Sequence, residues 1–417
     1  MTATLFTHVT IFDGSGAAGF PGEVLVEGNR IAKVARGAGR QIESGGVEVI
    51  DGAGGTLMPG LIEPHAHLTF PSAVDRIVPM MMPPVEDHAY FTAHNAKTLL
   101  DHGFTAAFSG GATRPRIEVK LRDEIAAGYL PGPRLKAASF ERNVTGDRPG
   151  YGKGVEEVRK FANEMIELGV DTMKFILSAP GSVFPQRFDE MCYADDELAA
   201  AAEIAREKGV NLVGHAYNSE SIRLALRHGF RAIYHCNFAD EPALDVMEVK
   251  KSEIFVVPAI GIIVAGIENT AGMMPGAPEL QPEAAQGLRM IRDAQRKVIP
   301  EMRKRGIRVL PGGDYGFAHN PHGRNAWEYE LFVSEFGFEP AEVLHAATAL
   351  GGAIMGMGDE LGRVREGSLA DLILVEGDPL RNIRILQDRA RLRAIMQDGR
   401  FHKRPDAEAR QGRLAAE

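Results

Sequence analysis

The chain has 417 residues, which is enough for one α/β barrel and a smaller appended domain. Its formal net charge of −9 is spread along the chain without long acidic blocks, which argues against nucleic acid and anionic membranes as partners. The two cysteines, Cys192 and Cys236, are too few for a disulfide framework and are typical of a reducing compartment.

The N-terminal residues, MTATLFTHVTIFDG, do not resemble a signal peptide because no basic region precedes a long apolar run. No apolar stretch approaches the roughly 20 residues that span a bilayer. These features predict a cytoplasmic protein that does not associate with membranes.

Residues 1–59 are predicted to form β structure. LFTHVTIFDG indicates one strand, and GEVLVEGNRIAKVARG indicates two strands joined at Gly28 and Asn29, a typical hairpin signal. VEVIDGAGGTLMPG adds a short strand that ends in glycines. We interpret this region as the first part of a small β-sandwich domain.

Residues 60–358 alternate between short apolar runs and segments with helical spacing, such as DELAAAAEIAREKG. The eight runs are 61–67, 104–110, 134–140, 171–178, 210–216, 231–237, 253–259 and 306–314. Alternating β and α units predict a parallel sheet, and eight units fit a (β/α)8 TIM barrel. The alternative, a doubly wound open sheet, would more often have a Gly-rich phosphate loop after its first strand, and none is present.

Residues 359–417 return to strands and turns, in GRVREGSLADLILVEGD and RAIMQDGRFHK. We interpret them as the second part of the β-sandwich domain, followed by a C-terminal tail. The predicted fold is therefore α/β, with the barrel inserted into a small domain that is built from both termini.

Residues that can bind metal ions lie at the C-terminal ends of the predicted barrel strands, where barrel enzymes carry their chemistry. His65 and His67 are two residues apart on the first run, so both side chains point to the same side of a strand. The other members of the set are Lys174 in the fourth run, His215 in the fifth, His235 in the sixth and Asp314 at the end of the eighth.

Each of these residues alone has an ordinary structural explanation. A buried histidine is usually a hydrogen-bonded core residue, and an aspartate after two glycines is common in turns. A lysine within an apolar strand is rarer, because burial of an unpaired ammonium group is costly. Six such groups at the strand ends of one barrel are hard to obtain by chance, so together they predict a metal centre.

The motifs PGLIEPHAH, MKF, GHAY, YHCNF and GGDYG resemble those of the amidohydrolase superfamily, and most closely its imidazolonepropionase- and prolidase-like branch. The tail AATALGGAIMG…LGRVREGSLADLILVEGDPL is similar to that branch as well, so the resemblance extends over nearly the whole chain. It implies a binuclear centre, in which His65, His67 and Asp314 hold the more buried ion. His215 and His235 would hold the more exposed ion, and Lys174, carboxylated by CO2, would bridge the two.

Elementary chemistry agrees with this assignment. Carboxylation needs a neutral amine, and apolar walls and nearby cations lower the pKa of a lysine such as Lys174. Ligand sets rich in neutral imidazole suit Zn2+, and Mn2+ or Co2+ could substitute.

Substrate contacts are expected from the βα loops, which carry specificity in this fold. By the same resemblance, Tyr217 is a candidate donor to a substrate carbonyl or carboxylate, and Arg223 is a candidate carboxylate anchor. Arg142 and Arg148 could bind an anion from the loop after the third strand. That loop lacks the histidine-containing glycine motif that is frequent in relatives. His319 and His322 could contact the substrate or support the ligands. Each of these residues could equally have a structural role.

The predicted function is hydrolysis of a carbon–nitrogen amide bond by metal-activated hydroxide, with Asp314 as base and then acid. The substrate would be a small-molecule amide such as an N-acyl amino acid, a dipeptide or a related aryl or alkyl amide. The alternative is a cyclic-amide, carbamate or lactone hydrolase that acts on a xenobiotic or a metabolite. Lys174 argues against a deaminase, whose relatives generally use one ion without a bridging lysine. A homo-oligomer is expected.

Overall fold

The computed structural model describes residues 3–143, 152–178, 188–268 and 282–405. Within them the strands, in chain order, are β1 Thr4–Ile11, β2 Phe20–Glu27, β3 Arg30–Arg36, β4 Glu48–Asp51, β5 Thr56–Pro59, β6 Leu61–Ala66, β7 Ser72–Ala73, β8 Arg76–Ile77, β9 Phe104–Ser109, β10 Arg134–Lys136, β11 Ala138–Arg142, β12 Thr172–Ile176, β13 Asn211–Asn218, β14 Ala232–Phe238, β15 Phe255–Val257, β16 Leu372–Val375, β17 Leu392–Gln397 and β18 Arg400–Lys403.

The helices in the same residues are α1 Val85–Asp101, α2 Pro115–Ala126, α3 Val155–Leu168, α4 Asp195–Lys208, α5 Ser219–Arg227, α6 Glu241–Val249, α7 Ile260–Glu268, α8 Pro282–Lys304, α9 Trp327–Phe336, α10 Pro340–His345 and α11 Gly351–Ile354. A π-helical turn, Ala346–Leu350, joins α10 to α11, and two short 3-10 helices, Ile383–Gln387 and Arg389–Arg391, precede β17. None of the helices in these ranges combines the length and apolar character that crossing a bilayer requires.

Strands from both termini form one eight-stranded sheet. Its order is β18-β17-β16-β5-β1-β2-β3, and β4 pairs with β1. The predicted hairpin is present between β2 and β3, where Gly28 has a φ of 61° that suits a residue without a Cβ atom. One face of the sheet buries Phe6, Val24, Leu57 and Leu372 in a common cluster. The arrangement of these strands as a two-layer sandwich, and the domain boundaries at 59/60 and 358/359, stay predictions.

The central strands pair in parallel and follow the chain order. Sheet β6-β9-β10 and sheet β11-β12-β13-β14-β15 meet at Ala137, the single residue between β10 and β11. The third predicted run is therefore one strand interrupted at that residue. All seven predicted runs from 61–67 to 253–259 contain strand residues.

The eighth predicted run, residues 306–314, forms a single parallel bridge from Val309 to Val256 and not a full strand. Pro311 has no amide hydrogen, and Gly312 and Gly313 follow it, so a longer ladder is unfavourable. Eight parallel positions in sequence order are thus present, as in a (β/α)8 barrel. No ladder between this run and β6 occurs among the described residues, and closure of the ring stays a prediction.

Local sequence signals explain why the intervening helices form where they do. α4 buries Leu198, Ala201 and Ile204 at helical spacing and ends at Gly209, which has a φ of 68°. The Asn218 side chain accepts a hydrogen bond from the Ser221 amide (2.9 Å) and so caps the start of α5. The apolar faces of the helices pack on the parallel strands, and this packing keeps the strand ends in place.

Candidate metal centre

The six predicted ligands lie at one edge of the parallel strands. His65 is near the end of β6 and His67 follows it, Lys174 is in β12, His215 is in β13, His235 is in β14, and Asp314 ends the eighth run. Neighbouring parallel strands end on the same side, so the sequence positions converge as predicted.

His65, His67 and Asp314 form the tightest part of the cluster. One ligand atom from each residue lies within 4.8 Å of those of the other two. The His67 Nε2 atom is 3.0 Å from Asp314 Oδ1, and the His65 Nε2 atom is 3.9 Å from the same oxygen. This spacing allows one cation to contact all three side chains.

The backbone fixes the orientation of the His67 ring. Its Nδ1 atom lies 2.8 Å from the Gly111 carbonyl oxygen, which can only accept a hydrogen bond. Nδ1 therefore carries a proton in both the neutral and the cationic ring, and in the neutral ring the Nε2 lone pair can face a cation. Gly110 leaves the space for both rings, because a Cβ atom at this position would collide with His65.

Tyr234 and His235 connect the remaining predicted ligands to this cluster. The Tyr234 ring stacks on His65 at a centroid distance of 3.9 Å, and the Lys174 Nζ atom lies 4.0 Å from the centre of the same ring. His235 is 4.3 Å from His215 and 5.8 Å from His65 between ring centroids. Lys174 and both later histidines are therefore next to the first cluster.

Burial controls the protonation of these groups. It lowers the pKa of His65 and of His215 well below the usual value and that of His235 to about 4; the charge of Asp314 opposes these shifts, and the charge of Lys174 adds to them. Burial also lowers the pKa of Lys174, although the charges of Glu141 and Asp314 oppose this shift. Neutral imidazoles and a neutral amine are the forms that bind metal and react with CO2.

Asp314 and His67 behave differently because they are partners. Burial alone would raise the pKa of Asp314, but the charges of His65 and His67 and the hydrogen bond from His67 outweigh it and hold the pKa well below the usual value. Burial alone would lower the pKa of His67, but the same hydrogen bond raises it. Asp314 is therefore a carboxylate near neutral pH.

These residues fit a divalent metal centre. Within the described residues, no hydrogen-bond partner is present for His65 Nε2, His215 Nε2, either ring nitrogen of His235, or Lys174 Nζ, although all of these atoms are buried. Buried polar atoms of folded proteins are normally paired, and coordination would satisfy the histidine nitrogens.

Backbone strain is concentrated at the same edge. His235, Cys236, Ala259 and Asp314 have φ values of 75°, 54°, 56° and 59°, in the left-handed region that costs L-residues about 1–2 kcal/mol each. Non-glycine residues keep such conformations where the surrounding structure imposes them, which is common at functional sites.

Of the predicted substrate contacts, Tyr217 and His322 lie against the ligands. The Tyr217 ring is parallel to that of His235 (1° between planes, centroids 5.0 Å apart), and burial raises its pKa. The His322 Nε2 atom lies 2.9 Å from the His67 carbonyl oxygen, to which it donates. His322 thus fixes the backbone of the predicted ligand His67, and Tyr217 borders the predicted ligand His235.

The other predicted contacts are not brought to the six ligands. Arg142 is buried between Phe161 and Tyr193 and donates to the Gly152 carbonyl oxygen (2.8 Å). Arg223 pairs with Asp240 at 3.2 Å. The roles of both arginines in binding stay predictions.

His319 is buried, with its ring centroid 5.8 Å from that of Phe317, and its predicted role is untested. Arg148 lies outside the described residues.

The sequence prediction missed Glu141 and Tyr234. The Glu141 Oε1 atom is 3.5 Å from Lys174 Nζ, which is an ionic contact longer than a normal ammonium–carboxylate hydrogen bond. Glu141 lies near the end of β11, which belongs to the third predicted run. The predicted ligands also lie near strand ends, so its position in the sequence could have identified Glu141 as a candidate. Tyr234 precedes His235, and its position in the sequence does not indicate a role at the site.

Comparison with known proteins decides the family. The model of the amidohydrolase family matches residues 56–401. The chain belongs to the amidohydrolase family. This membership confirms the family predicted from the sequence and supports a TIM-barrel-like α/β fold.

Individual relatives agree with this family. The ochratoxinase of Aspergillus niger is 27% identical over 274 residues, 63% of this chain, which spans about half (54%) of that protein's length. An imidazolonepropionase of Shouchella clausii is 24% identical over 91% of this chain and 85% of its own length. A solved prolidase structure in complex with N-methylphosphonate-L-proline has a TM-score of 0.81, with 24% identity, and covers 97% of this chain and all of its own (100%).

Proposed function

We propose that this amidohydrolase is a binuclear metal-dependent enzyme that hydrolyses the carbon–nitrogen bond of an amide. The substrate class is an N-acyl amino acid, a dipeptide or a related aryl or alkyl amide. The observation that carries the proposal is the convergence of His65, His67, Lys174, His215, His235 and Asp314 at one edge of the parallel strands. The similarity to ochratoxinase and imidazolonepropionase supports it.

In this proposal His65, His67 and Asp314 hold one divalent ion, and His215 and His235 hold the other. Zn2+ suits these ligands, and Mn2+ or Co2+ could replace it. When bound, the ions would polarise the amide carbonyl group and make a water molecule more acidic.

Lys174 is proposed to carry the group that bridges the two sites. Its lowered pKa favours the neutral amine, whose nitrogen lone pair attacks CO2 and releases one proton to give a carbamate anion. The anion would then offset the cationic charge of the centre. The Glu141 carboxylate and the Tyr234 ring contact the Lys174 Nζ atom and hold it in position.

Asp314 is proposed as the proton carrier. Its carboxylate accepts the proton of the attacking water as oxygen bonds to the amide carbon, and it delivers that proton to the nitrogen as the carbon–nitrogen bond breaks. The His67 contact at 3.0 Å keeps the carboxylate oriented. Tyr217, parallel to the His235 ring, is proposed to donate a hydrogen bond to the substrate.

A second candidate is hydrolysis of a cyclic amide, a carbamate or a lactone by the same centre. The match to an imidazolonepropionase extends over 91% of the chain, against 63% for ochratoxinase, which favours retaining this candidate. The two candidates share a metal centre and differ in the substrate.

Metal analysis and a substrate panel test the proposal together. We expect about two ions per chain and metal-dependent hydrolysis of acyl-amino acids or aryl amides. A preference for lactams, carbamates or lactones would select the second candidate. A protein that binds one ion or none, or that keeps full activity after thorough chelation, would contradict both.

A further inference from the structure

An open groove with aromatic walls lies between helix α8 and Phe238 at the end of β14. It has a volume of about 860 Å³ and is lined by described residues that include Phe188, Phe238 and Met290. Small-molecule pockets commonly have volumes of roughly 300–1,000 Å³ and mainly apolar walls. The groove is therefore large enough for an aromatic group with a polar substituent.

Helix α8 forms one side of the groove and is attached to the strand ends that carry the ligands. The buried Gln295 side chain donates to Asn237 Oδ1 and to the Pro258 carbonyl oxygen, both at 2.7 Å. Asn237 is two residues beyond His235, and Pro258 directly follows β15. The helix thus crosses the edge where the metal centre lies.

A continuous series of rings joins the groove to the centre. The ring centroid of Phe188 is 5.0 Å from that of Phe238 and 5.9 Å from that of Tyr217. Tyr217 is in turn parallel to His235 at 5.0 Å. A substrate whose amide group lies beside His235 and Tyr217 could therefore extend along these rings into the groove.

The groove also has positive charge. Arg289 and Lys297 line it, and neither has an ion-pair partner among the described residues. Asp293, the acidic residue of the lining, pairs with Arg296 at 3.8 Å. Two unpaired cations over an aromatic wall favour a ligand that has both a ring and a carboxylate.

We propose that this groove binds the aromatic ring and the carboxylate of the amide substrate, so that the enzyme prefers aromatic amides that carry a carboxylate. This inference rests on the proposed function, and it assigns the substrate class to residues outside the ligand set. Phe188, Phe238 and Met290 would contact the ring, and Arg289 and Lys297 would bind the anion.

Three substrates with the same scissile acetamide separate the two contributions. N-acetyl-L-phenylalanine has the ring and the carboxylate, N-acetyl-2-phenylethylamine has only the ring, and N-acetyl-L-alanine has only the carboxylate. With the zinc-loaded enzyme we expect kcat/KM for the first to exceed each of the others about tenfold or more, because each contact is worth roughly 1.4 kcal/mol.

The double variant Arg289→Gln/Lys297→Gln should lose about tenfold in kcat/KM for N-acetyl-L-phenylalanine while its value for N-acetyl-2-phenylethylamine stays unchanged. Met290→Asn should reduce the preference for phenyl over methyl. The matched control is Arg303→Gln, which removes an arginine of the same helix that pairs with Glu342 and is not among the described residues that line the groove. If the ratio of kcat/KM for N-acetyl-L-phenylalanine to that for N-acetyl-2-phenylethylamine were the same in the wild type, the double variant and the control, the groove would not bind the carboxylate. The proposed function would be unaffected.

A direct binding measurement tests the role of the groove independently of amide hydrolysis. The probe 3-phenylpropanoate has the ring and the carboxylate but no amide, and its binding is measured by calorimetry. The probe should bind to the wild type about tenfold more tightly than to the double variant. If it does so but no amide is hydrolysed, the binding role of the groove is supported and the proposed function is contradicted. Equal binding to both proteins, or no binding to either, would contradict the proposed binding role of the groove.

Discussion

Lys174 shows most clearly how burial and chemistry combine in one residue. The side chain is fully buried, its amine has no hydrogen-bond partner within the described residues, and its pKa is lowered. Burial of an unpaired lysine amine reduces the stability of the fold, so such a residue usually has a function. The cost is understandable if the amine reacts with CO2 and supplies a ligand.

Replacement of this lysine by Met tests that view. Lys174→Met keeps a side chain of similar length and removes the amine, so the protein should fold normally but bind fewer ions and lose activity at least about 100-fold. Metal content per chain and kcat/KM check this outcome. Lys136→Met, on β10 and in ionic contact with Asp171 at 3.4 Å, is the control. Full metal content and activity in Lys174→Met would rule out the bridging role.

Asp314 has a backbone conformation that allows an informative substitution. Its φ of 59° is tolerated by Asn about as well as by Asp, so Asp314→Asn should fold normally. The amide oxygen can still contact a metal ion but cannot carry the proton, and kcat should fall about 10²- to 10⁴-fold with much of the metal retained. Steady-state kinetics and metal analysis check both parts.

The control for this substitution has the same backbone geometry. Asp398 has a φ of 50° and lies in the turn between β17 and β18, so Asp398→Asn should leave kcat unchanged. If Asp314→Asn were as active as the wild type, another group would have to move the proton.

At the scale of elements, a buried carboxylate joins α2 to the parallel strands. Glu118 of α2 is fully buried, and its Oε2 atom accepts a hydrogen bond from the Ala138 amide at 2.7 Å. Burial raises the pKa of Glu118 to about 7, and the hydrogen bond from Ala138 opposes that rise. The first residue of β11 is therefore attached to a helix through a group that titrates near neutral pH.

This shift predicts a pH dependence of stability. Because the folded pKa is above the unfolded value of 4.5, the contribution of Glu118 is complete below pH 4.5 and is lost as the pH rises through about 7. Between about pH 5 and about pH 8 the free energy of unfolding should fall by about 1–3 kcal/mol more in the wild type than in Glu118→Gln. Urea unfolding at both pH values measures the difference.

An exposed glutamate on the same helix provides the comparison. Glu124→Gln should show the same pH dependence as the wild type, because its side chain is solvated in the folded and unfolded states. Identical pH profiles for the wild type and Glu118→Gln would show that the carboxyl group is not protonated on folding.

At the scale of the whole molecule, the candidate metal centre consists of residues from distant parts of the chain. Its ligands come from residues 65 to 314, and they lie on five of the eight parallel runs. Ions bound at this candidate centre would connect these runs and satisfy buried histidine nitrogens. Metal binding is therefore expected to stabilise the fold as well as to support catalysis.

Metal removal tests this coupling. Dialysis against a strong chelator should abolish activity and lower the melting temperature by about 5 °C or more, and added Zn2+ should restore both. Differential scanning calorimetry of the three samples provides the measurement. An unchanged melting temperature after verified metal loss would show that the ions do not stabilise the fold.

Much of the fold, and the convergence of the six predicted ligands, was predictable from the sequence. The seven strand-forming runs, the hairpin at Gly28 and the positions of the six predicted ligands rest on local signals: periodicity, turn residues and side chains at strand ends. The spacing of His65 and His67 shows that both point to one side, and family motifs place the others.

Tertiary structure alone decided the contacts between elements that are distant in the chain. Arg223 pairs with Asp240, Tyr234 lies against His65 and Lys174, and α8 forms a groove with Phe188 and Phe238. The eighth run became a single bridge because proline and glycine weaken a ladder. The sequence by itself determined which groups could bind metal, because residue type and local spacing suffice for that. Which side chains surround them depends on how helices pack against strands, and local sequence does not specify it.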